Sequence, residues 1–234
     1  MKVHFYGVQK DEMLCKCSEL FKNMQSITAD VTEHGGECIV HLTDDNNNEN
    51  AVQRLNDAAK QLQSCFADNF YGINCGSLQA QTVRRLKEKG LQVATAESCT
   101  GGYVSKRITE IEGSSQVFKY GAVTYCDEAK MKLLNVKEST LKAYTAVSEQ
   151  TAREMAAGIR ALSGADIGVS VTGYAGNTPV PENGIVFVGV DSDAYSAVDK
   201  LSLAKGLAHG ERENIRLLAA SHALSMVLKA CDKL

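Results

Sequence analysis

From residue 77 onward, short apolar runs alternate with stretches of helical spacing, and this alternation limits the possible folds more than any other feature. Residues 91–96 (LQVATA) and 166–173 (DIGVSVTG) are apolar runs of strand length, whereas residues 148–164 repeat apolar side chains at three- and four-residue intervals. Strands joined by helices form parallel sheets covered by those helices, because parallel neighbours need a crossover connection. We therefore predict an α/β fold for residues 77–234. It is a layered αβα domain with a mixed sheet, whose last strands are antiparallel because their connections are short.

Residues 1–76 follow a different pattern and predict a separate, small α+β domain. The predicted elements, in the order βαββα, are a strand over 2–8, a helix over 11–24, two strands within 26–45 and a helix over 49–69. Residues 71–77 (YGINCGS) form the predicted boundary segment.

The charge and the hydropathy of the chain exclude two classes of partner. Lys and Arg number 25 against 28 Asp and Glu, so there is no overall positive field for a nucleic-acid backbone or an anionic membrane. The apolar runs fall short of the roughly 20 residues of a membrane span, and residues 1–13 lack the apolar core of a signal peptide. We therefore expect a cytoplasmic protein that binds neither nucleic acid nor membrane.

The chain has eight cysteines, and in a cytoplasmic protein we expect them as reduced thiols. The sequence contains neither a CxxC pair nor a helical HxxxH pair, so we expect no metal site.

Residues 94–105 (ATAESCTGGYVS) place small polar residues between a predicted strand and a predicted helix. Backbone N–H groups and the positive end of the helix dipole converge at such a point and stabilise negative charge. Three interpretations are open. The first is an ordinary helix cap. The second is a phosphate cradle, although the segment lacks the P-loop and GxGxxG patterns. The third is a nucleophile site, in which Ser98 attacks and the N–H groups of Thr100, Gly101 and Gly102 hold an oxyanion.

A serine nucleophile needs a base, and none of the five histidines lies in a motif with a carboxylate. A triad assembled from distant residues stays possible, but Lys130 is a serious candidate. It follows the strand residues 122–125 and falls in the first turn of a helix that we expect Asp127 to cap. The helix dipole and partial burial would both lower the pKa of Lys130, and Tyr125 could share the proton transfer. The alternative is a solvated helix lysine, as we expect for the literal SxxK pattern that ends at Lys142.

Five blocks in this order resemble the C-terminal domain of the CinA (competence/damage-inducible protein A) family. They are ATAESCTGG, GSSQVFKYGAVTYCDEAKMKLLNV, AVSEQTAREMA, GVSVTGYAG and GIVFVGV, and the resemblance extends from about residue 77 to residue 234. Active members of the family are nicotinamide-nucleotide amidases. The resemblance implies hydrolysis of nicotinamide mononucleotide to nicotinate mononucleotide and ammonia, a step of pyridine-nucleotide recycling in NAD metabolism. It also implies a Ser/Lys mechanism without a cofactor, and at least a homodimer.

The resemblance assigns roles to individual positions of this sequence. Ser98 is the nucleophile, Lys130 the base and Tyr125 the neighbouring tyrosine. Arg212 and Arg216, one helical turn apart, match an arginine-bearing block and would bind the substrate phosphate.

Thr172 and Gly173 match a further block of the family's site and would contact the substrate, although they would otherwise read as a turn that ends a strand. The two arginines would otherwise read as an exposed helix face. Cys99 is a rival nucleophile, ranked second because its neighbour matches the family serine.

Two departures from the family leave alternatives open. The loop over residues 173–184 (GYAGNTPVPENG) is short and lacks the GPxGG pattern, which weakens the substrate assignment. Residues 1–76 resemble the KH-like middle domain of long family members, but they are not basic and show no GXXG loop, so packing or dimerisation is favoured over RNA binding. The alternatives are a catalytically silent nucleotide-binding or scaffold homologue, and an amidase for a different amide.

Overall fold

The computed structural model describes residues 1–46, 48–176, 183–203 and 211–234. Contacts divide the chain into two compact units, Met1–Gln81 and Thr82–Leu234. The boundary that we predicted between residues 76 and 77 stays a prediction. Within the described ranges, no helix combines the length and the apolar character needed to cross a membrane.

The first unit is an antiparallel sheet with two helices. Its elements are β1 (Lys2–Tyr6), α1 (Lys10–Leu20), β2 (Ile27–His34), β3 (Glu37–Asp44), α2 (Ala51–Cys65) and β4 (Phe70–Ile73). The strand order is β2-β3-β1-β4, and alternate side chains such as Val3, Phe5 and Val40 enter a core with Met13 and Leu62 from the helices. The predicted α+β class is confirmed, but the predicted βαββα order omitted β4.

The second unit is a mixed five-stranded sheet with helices. It begins with α3 (Leu78–Lys89), whose first residues belong to the first unit, and continues with β5 (Val93–Glu97), α4 (Tyr103–Thr109), a 3₁₀ turn (Ser114–Gln116), β6 (Phe118–Val123), α5 (Asp127–Leu134), α6 (Glu138–Tyr144), α7 (Glu149–Ser163), β7 (Ile167–Gly173), β8 (Ile185–Asp191), β9 (Ser196–Ser202) and α8 (Glu211–Lys233). The strand order is β6-β5-β7-β8-β9. β5 is parallel to β6 and β7, and the pairs β7-β8 and β8-β9 are antiparallel. The predicted mixed sheet and its antiparallel last strands are confirmed.

The parallel part of the sheet determines where the sequence blocks meet. Glu97 at the end of β5 lies opposite Val123 of β6 and Val171 of β7. Because parallel strands end at the same edge, the residues after these three positions lie side by side there. This edge of an α/β sheet is the usual place for a ligand site.

The helix that follows β6 is held against the sheet by a close contact with α7. A Cβ atom on Gly158 of α7 would lie 2.0 Å from the carbonyl oxygen of Leu134, the last residue of α5. Only glycine permits this approach, which brings the C-terminal end of α5 into contact with α7. The predicted cap of α5 was wrong: the helix begins at Asp127, and Cys126 occupies the cap position without a side-chain hydrogen bond.

Candidate active site

Ser98 and Lys130 meet at the carboxyl edge of the parallel strands. Ser98 is 9% exposed, and its N–H donates to the Val171 carbonyl at 2.9 Å. Lys130 is the fourth residue of α5 and is 1% exposed. Its Nζ donates to the Thr124 carbonyl at 2.9 Å and lies 3.5 Å from Ser98 Oγ. The structure therefore brings together the two side chains predicted to form the nucleophile and base, at the long end of hydrogen-bonding distance.

Burial controls the charge of Lys130. Loss of solvent lowers the pKa of its amine below the ordinary lysine value, and the negative charge of Asp127 offsets only part of that effect. Among the described residues, Lys130 forms no ion pair with a carboxylate. A buried amine without a counter-ion favours the neutral form, which is the form that can accept a proton.

The turn after Ser98 uses two of the predicted oxyanion donors internally. Gly101 and Gly102 adopt left-handed backbone angles, φ +59° and +94°. The N–H of Gly101 donates to the Ser98 carbonyl, and the N–H of Gly102 donates to Glu97 Oε2, both at 3.0 Å. These two groups are therefore occupied in this structure, whereas the N–H of Thr100 makes no such bond within the described ranges.

Thr100 is the remaining residue of the predicted oxyanion set. It is completely buried, and its Oγ1 has no hydrogen-bond partner among the described residues. The same holds for Thr124 Oγ1 at the end of β6, whose carbonyl binds Lys130. Two buried hydroxyls next to the Ser98–Lys130 pair thus retain hydrogen-bonding capacity.

Tyr125 lies on the exposed side of the site. Tyr125 is 64% exposed to solvent, and its hydroxyl lies 3.4 Å from Arg212 Nη2. In the part of the chain that the structure describes, Tyr125 forms no hydrogen bond with Ser98 or Lys130. The structure therefore joins Tyr125 to Arg212, and its share in proton transfer stays a prediction.

The two predicted phosphate-binding arginines have different surroundings. Arg216 forms an ion pair with Glu213 at 2.7 Å, donates to the Thr100 carbonyl at 2.8 Å and lies over the Tyr103 ring. Arg212 donates to the Ala175 carbonyl and is exposed, and it has no carboxylate partner among the described residues. Arg216 thus supports the turn after Ser98, whereas Arg212 keeps an uncompensated charge at the site.

Thr172 and Gly173 shape the end of β7 through contacts inside the protein. The Thr172 hydroxyl donates to the Ala146 carbonyl at 2.7 Å. A Cβ atom on Gly173 would lie 2.7 Å from the backbone of Ile185 and Val186. The structure gives both residues packing roles beside Ser98, and their predicted substrate contacts stay predictions.

The rival bases and nucleophiles have less suitable surroundings. Burial raises the pKa of the Cys99 thiol to about 12, so Cys99 is a protonated thiol at neutral pH. His222 pairs with Asp199 at 2.8 Å, and among the described histidines none is hydrogen-bonded to Ser98. Residues 177–182 of the short loop, and His209, lie outside the described residues.

Glu97 is a site residue that the sequence analysis did not identify. Its carboxylate is 1% exposed and accepts hydrogen bonds from the N–H groups of Gly102 and Val104, both at 3.0 Å. It also accepts bonds from the N–H and the hydroxyl of Ser105, at 2.9 and 2.7 Å. An acidic residue next to small residues at a helix start was the available signal.

Comparison with known proteins identifies relatives over most of the chain. Residues 76–231 match the family model described as the CinA C-terminal domain. A CinA-like protein of Kosmotoga olearia is 38% identical over 229 residues, which cover 96% of this chain and 54% of that protein. A putative competence-damage inducible protein of Bacillus velezensis is 31% identical over 237 residues, covering 99% and 55% of the two chains. The chain thus spans about half the length of these relatives.

Solved structures match about two thirds of the chain. The competence/damage inducible protein of Agrobacterium tumefaciens is 35% identical with a TM-score of 0.62, and the match covers 69% of this chain and 98% of that one. The competence or damage-inducible protein of Enterobacter asburiae is 32% identical with a TM-score of 0.61, covering 68% and 99%.

Proposed function

The chain belongs to the CinA family through its C-terminal domain, and we propose that it is an amidohydrolase that converts nicotinamide mononucleotide to nicotinate mononucleotide and ammonia. One observation carries the proposal: a buried lysine amine, without a carboxylate counter-ion in the described residues, lies 3.5 Å from a serine hydroxyl. Such a pair can activate the serine without histidine.

The proposed reaction proceeds through an ester on Ser98. Neutral Lys130 accepts the hydroxyl proton while Oγ attacks the carboxamide carbon, and the carbonyl oxygen becomes an oxyanion near the Thr100 N–H. The Lys130 ammonium then donates its proton to the departing nitrogen, so that ammonia leaves and the ester remains. A water molecule then attacks the ester. Lys130 accepts a proton from this water and donates it to Ser98 Oγ as the ester bond breaks, which releases the acid product and restores Ser98 and neutral Lys130.

Arg212 is the proposed partner of the substrate phosphate. It is the arginine of the pair without a compensating carboxylate, and its contact with Tyr125 keeps it at the exposed side of the site. A guanidinium can bind phosphate through two parallel hydrogen bonds. Arg216 contributes by holding the Thr100 carbonyl.

The proposal extends to the organisation of the protein. Residues 1–76 are a KH-like domain with a packing or dimerisation role, and the protein acts in the cytoplasm as a homodimer or higher homo-oligomer. The acidic balance of the chain supports a role other than RNA binding. Size-exclusion chromatography with light scattering tests the oligomer, and a monomeric mass would contradict it.

Ammonia release by the purified protein, without added metal, tests the reaction. We expect release from nicotinamide mononucleotide and not from nicotinamide riboside, which lacks the phosphate. Release from both would contradict recognition of the phosphate. If the folded protein releases ammonia from neither compound, the result would favour the catalytically silent homologue or an amidase for another amide.

Ser98→Ala is the decisive variant, since it removes the nucleophile and leaves the surroundings nearly unchanged. We expect the loss of ammonia release while nicotinamide mononucleotide still binds. Ser139→Ala is the matched control, because Ser139 lies in the SxxK pattern of α6, where Lys142 is 72% exposed and paired with Glu138. Undiminished release by Ser98→Ala would refute the assignment.

A further inference from the structure

Glu97 connects the turn that carries Ser98 with the first turn of α4. Its four accepted hydrogen bonds all come from residues 102–105, on the far side of that turn. A carboxylate has four favourable acceptor positions on its two oxygens, so its capacity is used completely. Bonds to an ionised acceptor are about twice as strong as neutral ones.

The backbone of Glu97 is tied to the Lys130 side of the site. Its carbonyl accepts the Thr124 N–H at 2.8 Å, and the Thr124 carbonyl in turn accepts Lys130 Nζ at 2.9 Å. One residue is therefore connected to both halves of the Ser98–Lys130 pair, through its side chain on one side and its main chain on the other.

The turn between these two attachments depends on them for its shape. Gly101 and Gly102 both have left-handed backbone angles and no side chains that could pack the turn in place. The Ser98 N–H donates to the Val171 carbonyl at the start of the turn, and the Gly101 N–H donates to the Ser98 carbonyl within it. The Thr100 carbonyl accepts from the Tyr103 N–H and from Arg216. The Glu97 carboxylate is the group that anchors the end of the turn at Gly102.

From these contacts we infer that Glu97 is a positioning residue, which fixes Ser98 Oγ relative to Lys130 Nζ by holding residues 98–102 against α4. The inference rests on the proposed function for the reaction that it supports. It also assigns the N–H groups at the start of α4 to the protein's own carboxylate, so a substrate anion has to bind elsewhere.

Glu97→Gln tests the inference, because it keeps the shape of the side chain and replaces one acceptor oxygen with a donor that faces N–H groups. Displacement of a reacting group by about 1 Å can cost a hundredfold in rate. We expect kcat for ammonia release to fall about tenfold to a hundredfold and KM to stay within about twofold. Glu110→Gln is the matched control, since Glu110 is a partly exposed carboxylate that follows α4 and pairs with Lys106.

A second measurement does not depend on the natural substrate. A small sulfonyl fluoride modifies activated serines, and mass spectrometry of the digested protein gives the rate of its attachment to Ser98. We expect attachment to slow by about the same factor as kcat in Glu97→Gln and to be unchanged in Glu110→Gln. Rates are compared well below each variant's thermal midpoint, so that a loss of folded protein is not counted.

The outcomes separate this inference from the proposed function. If the wild-type protein is modified at Ser98 but releases no ammonia, the proposed function fails and the ratio of attachment rates still decides on Glu97. If Glu97→Gln matches the wild type in attachment and kcat, or changes KM alone, the inference fails. A wild-type protein that is neither modified nor active also overturns it.

If Glu97→Gln does not fold, Ser105→Ala replaces it, because that change keeps the Glu97 carboxylate and removes the 2.7 Å hydroxyl bond to Oε1, together with the 2.7 Å bond between the Ser105 and Thr95 hydroxyls. We then expect a several-fold slower attachment at unchanged KM. An attachment rate equal to that of the wild type would overturn the inference.

Discussion

Lys130→Met should abolish activity and change the stability of the protein with a specific dependence on pH. In the folded protein, burial lowers the pKa of Lys130 below the ordinary value of 10.5, which the unfolded chain retains. Between these two pKa values, the unfolded state binds a proton that the folded state does not bind. The free energy of unfolding of the wild type therefore rises with pH across this window and is smallest below it.

The magnitude follows from linkage. Within the window, the stability of the wild type relative to Lys130→Met rises by up to about 1.4 kcal/mol per pH unit, and it is constant above 10.5 and below the folded pKa. The substitution also removes the bond to the Thr124 carbonyl, a loss of about 1 kcal/mol that does not vary with pH. The slope, rather than the offset, therefore reports the buried amine.

Urea unfolding of both proteins between about pH 6 and pH 10 gives the slope directly. Lys142→Met is the control for the loss of a lysine side chain, because Lys142 is 72% exposed on α6. A difference between Lys130→Met and the wild type that does not change with pH would refute the argument that burial favours the neutral amine. A stability of the wild type relative to Lys130→Met that falls as the pH rises would contradict it as well.

Two further changes test other parts of the site. Arg212→Ala should raise KM for nicotinamide mononucleotide by about tenfold or more with kcat little changed, because a charge-assisted contact to phosphate contributes about 1.5–3 kcal/mol. Steady-state kinetics measures both constants, and a fall in kcat alone would mean that Arg212 acts in the chemical step. Cys99→Ser should keep ammonia release within about threefold of the wild type. Burial raises the pKa of the Cys99 thiol to about 12, so the thiol is not an anion at neutral pH. Loss of ammonia release by a folded variant would make Cys99 the better candidate for the nucleophile.

The sequence was sufficient to predict the parts of the fold that depend on periodicity. The helical spacing over residues 148–164 matches α7, which Ser148 caps by accepting the Thr151 N–H and which Gly164 ends with a left-handed angle. β4 was missed because it has four residues and its pairing with β1 depends on partners 65 to 70 positions away in the chain. Long-range pairing of a short segment leaves little trace in local pattern.

The candidate site divides in the same way. The convergence of Ser98 and Lys130 could be predicted, since parallel strands end together and each residue follows such a strand. The difference between Arg212 and Arg216 could not, because it depends on which of them Glu213 reaches across one helical turn. Glu97 was missed for a related reason: the sequence shows a carboxylate before a helix start but not which N–H groups it faces.

The arrangement of charge around Ser98 explains how the pKa of Lys130 stays lowered beside an acidic strand end. Glu97 immediately precedes Ser98, and a carboxylate free to approach Lys130 would stabilise the ammonium form and remove the base. Its four hydrogen bonds hold it instead toward the start of α4, where the helix dipole favours the negative charge. Desolvation lowers the pKa of Lys130 and outweighs the negative charge of Asp127, which raises it. The contacts that position Ser98 therefore also keep Glu97, its neighbour in the sequence, from pairing with Lys130.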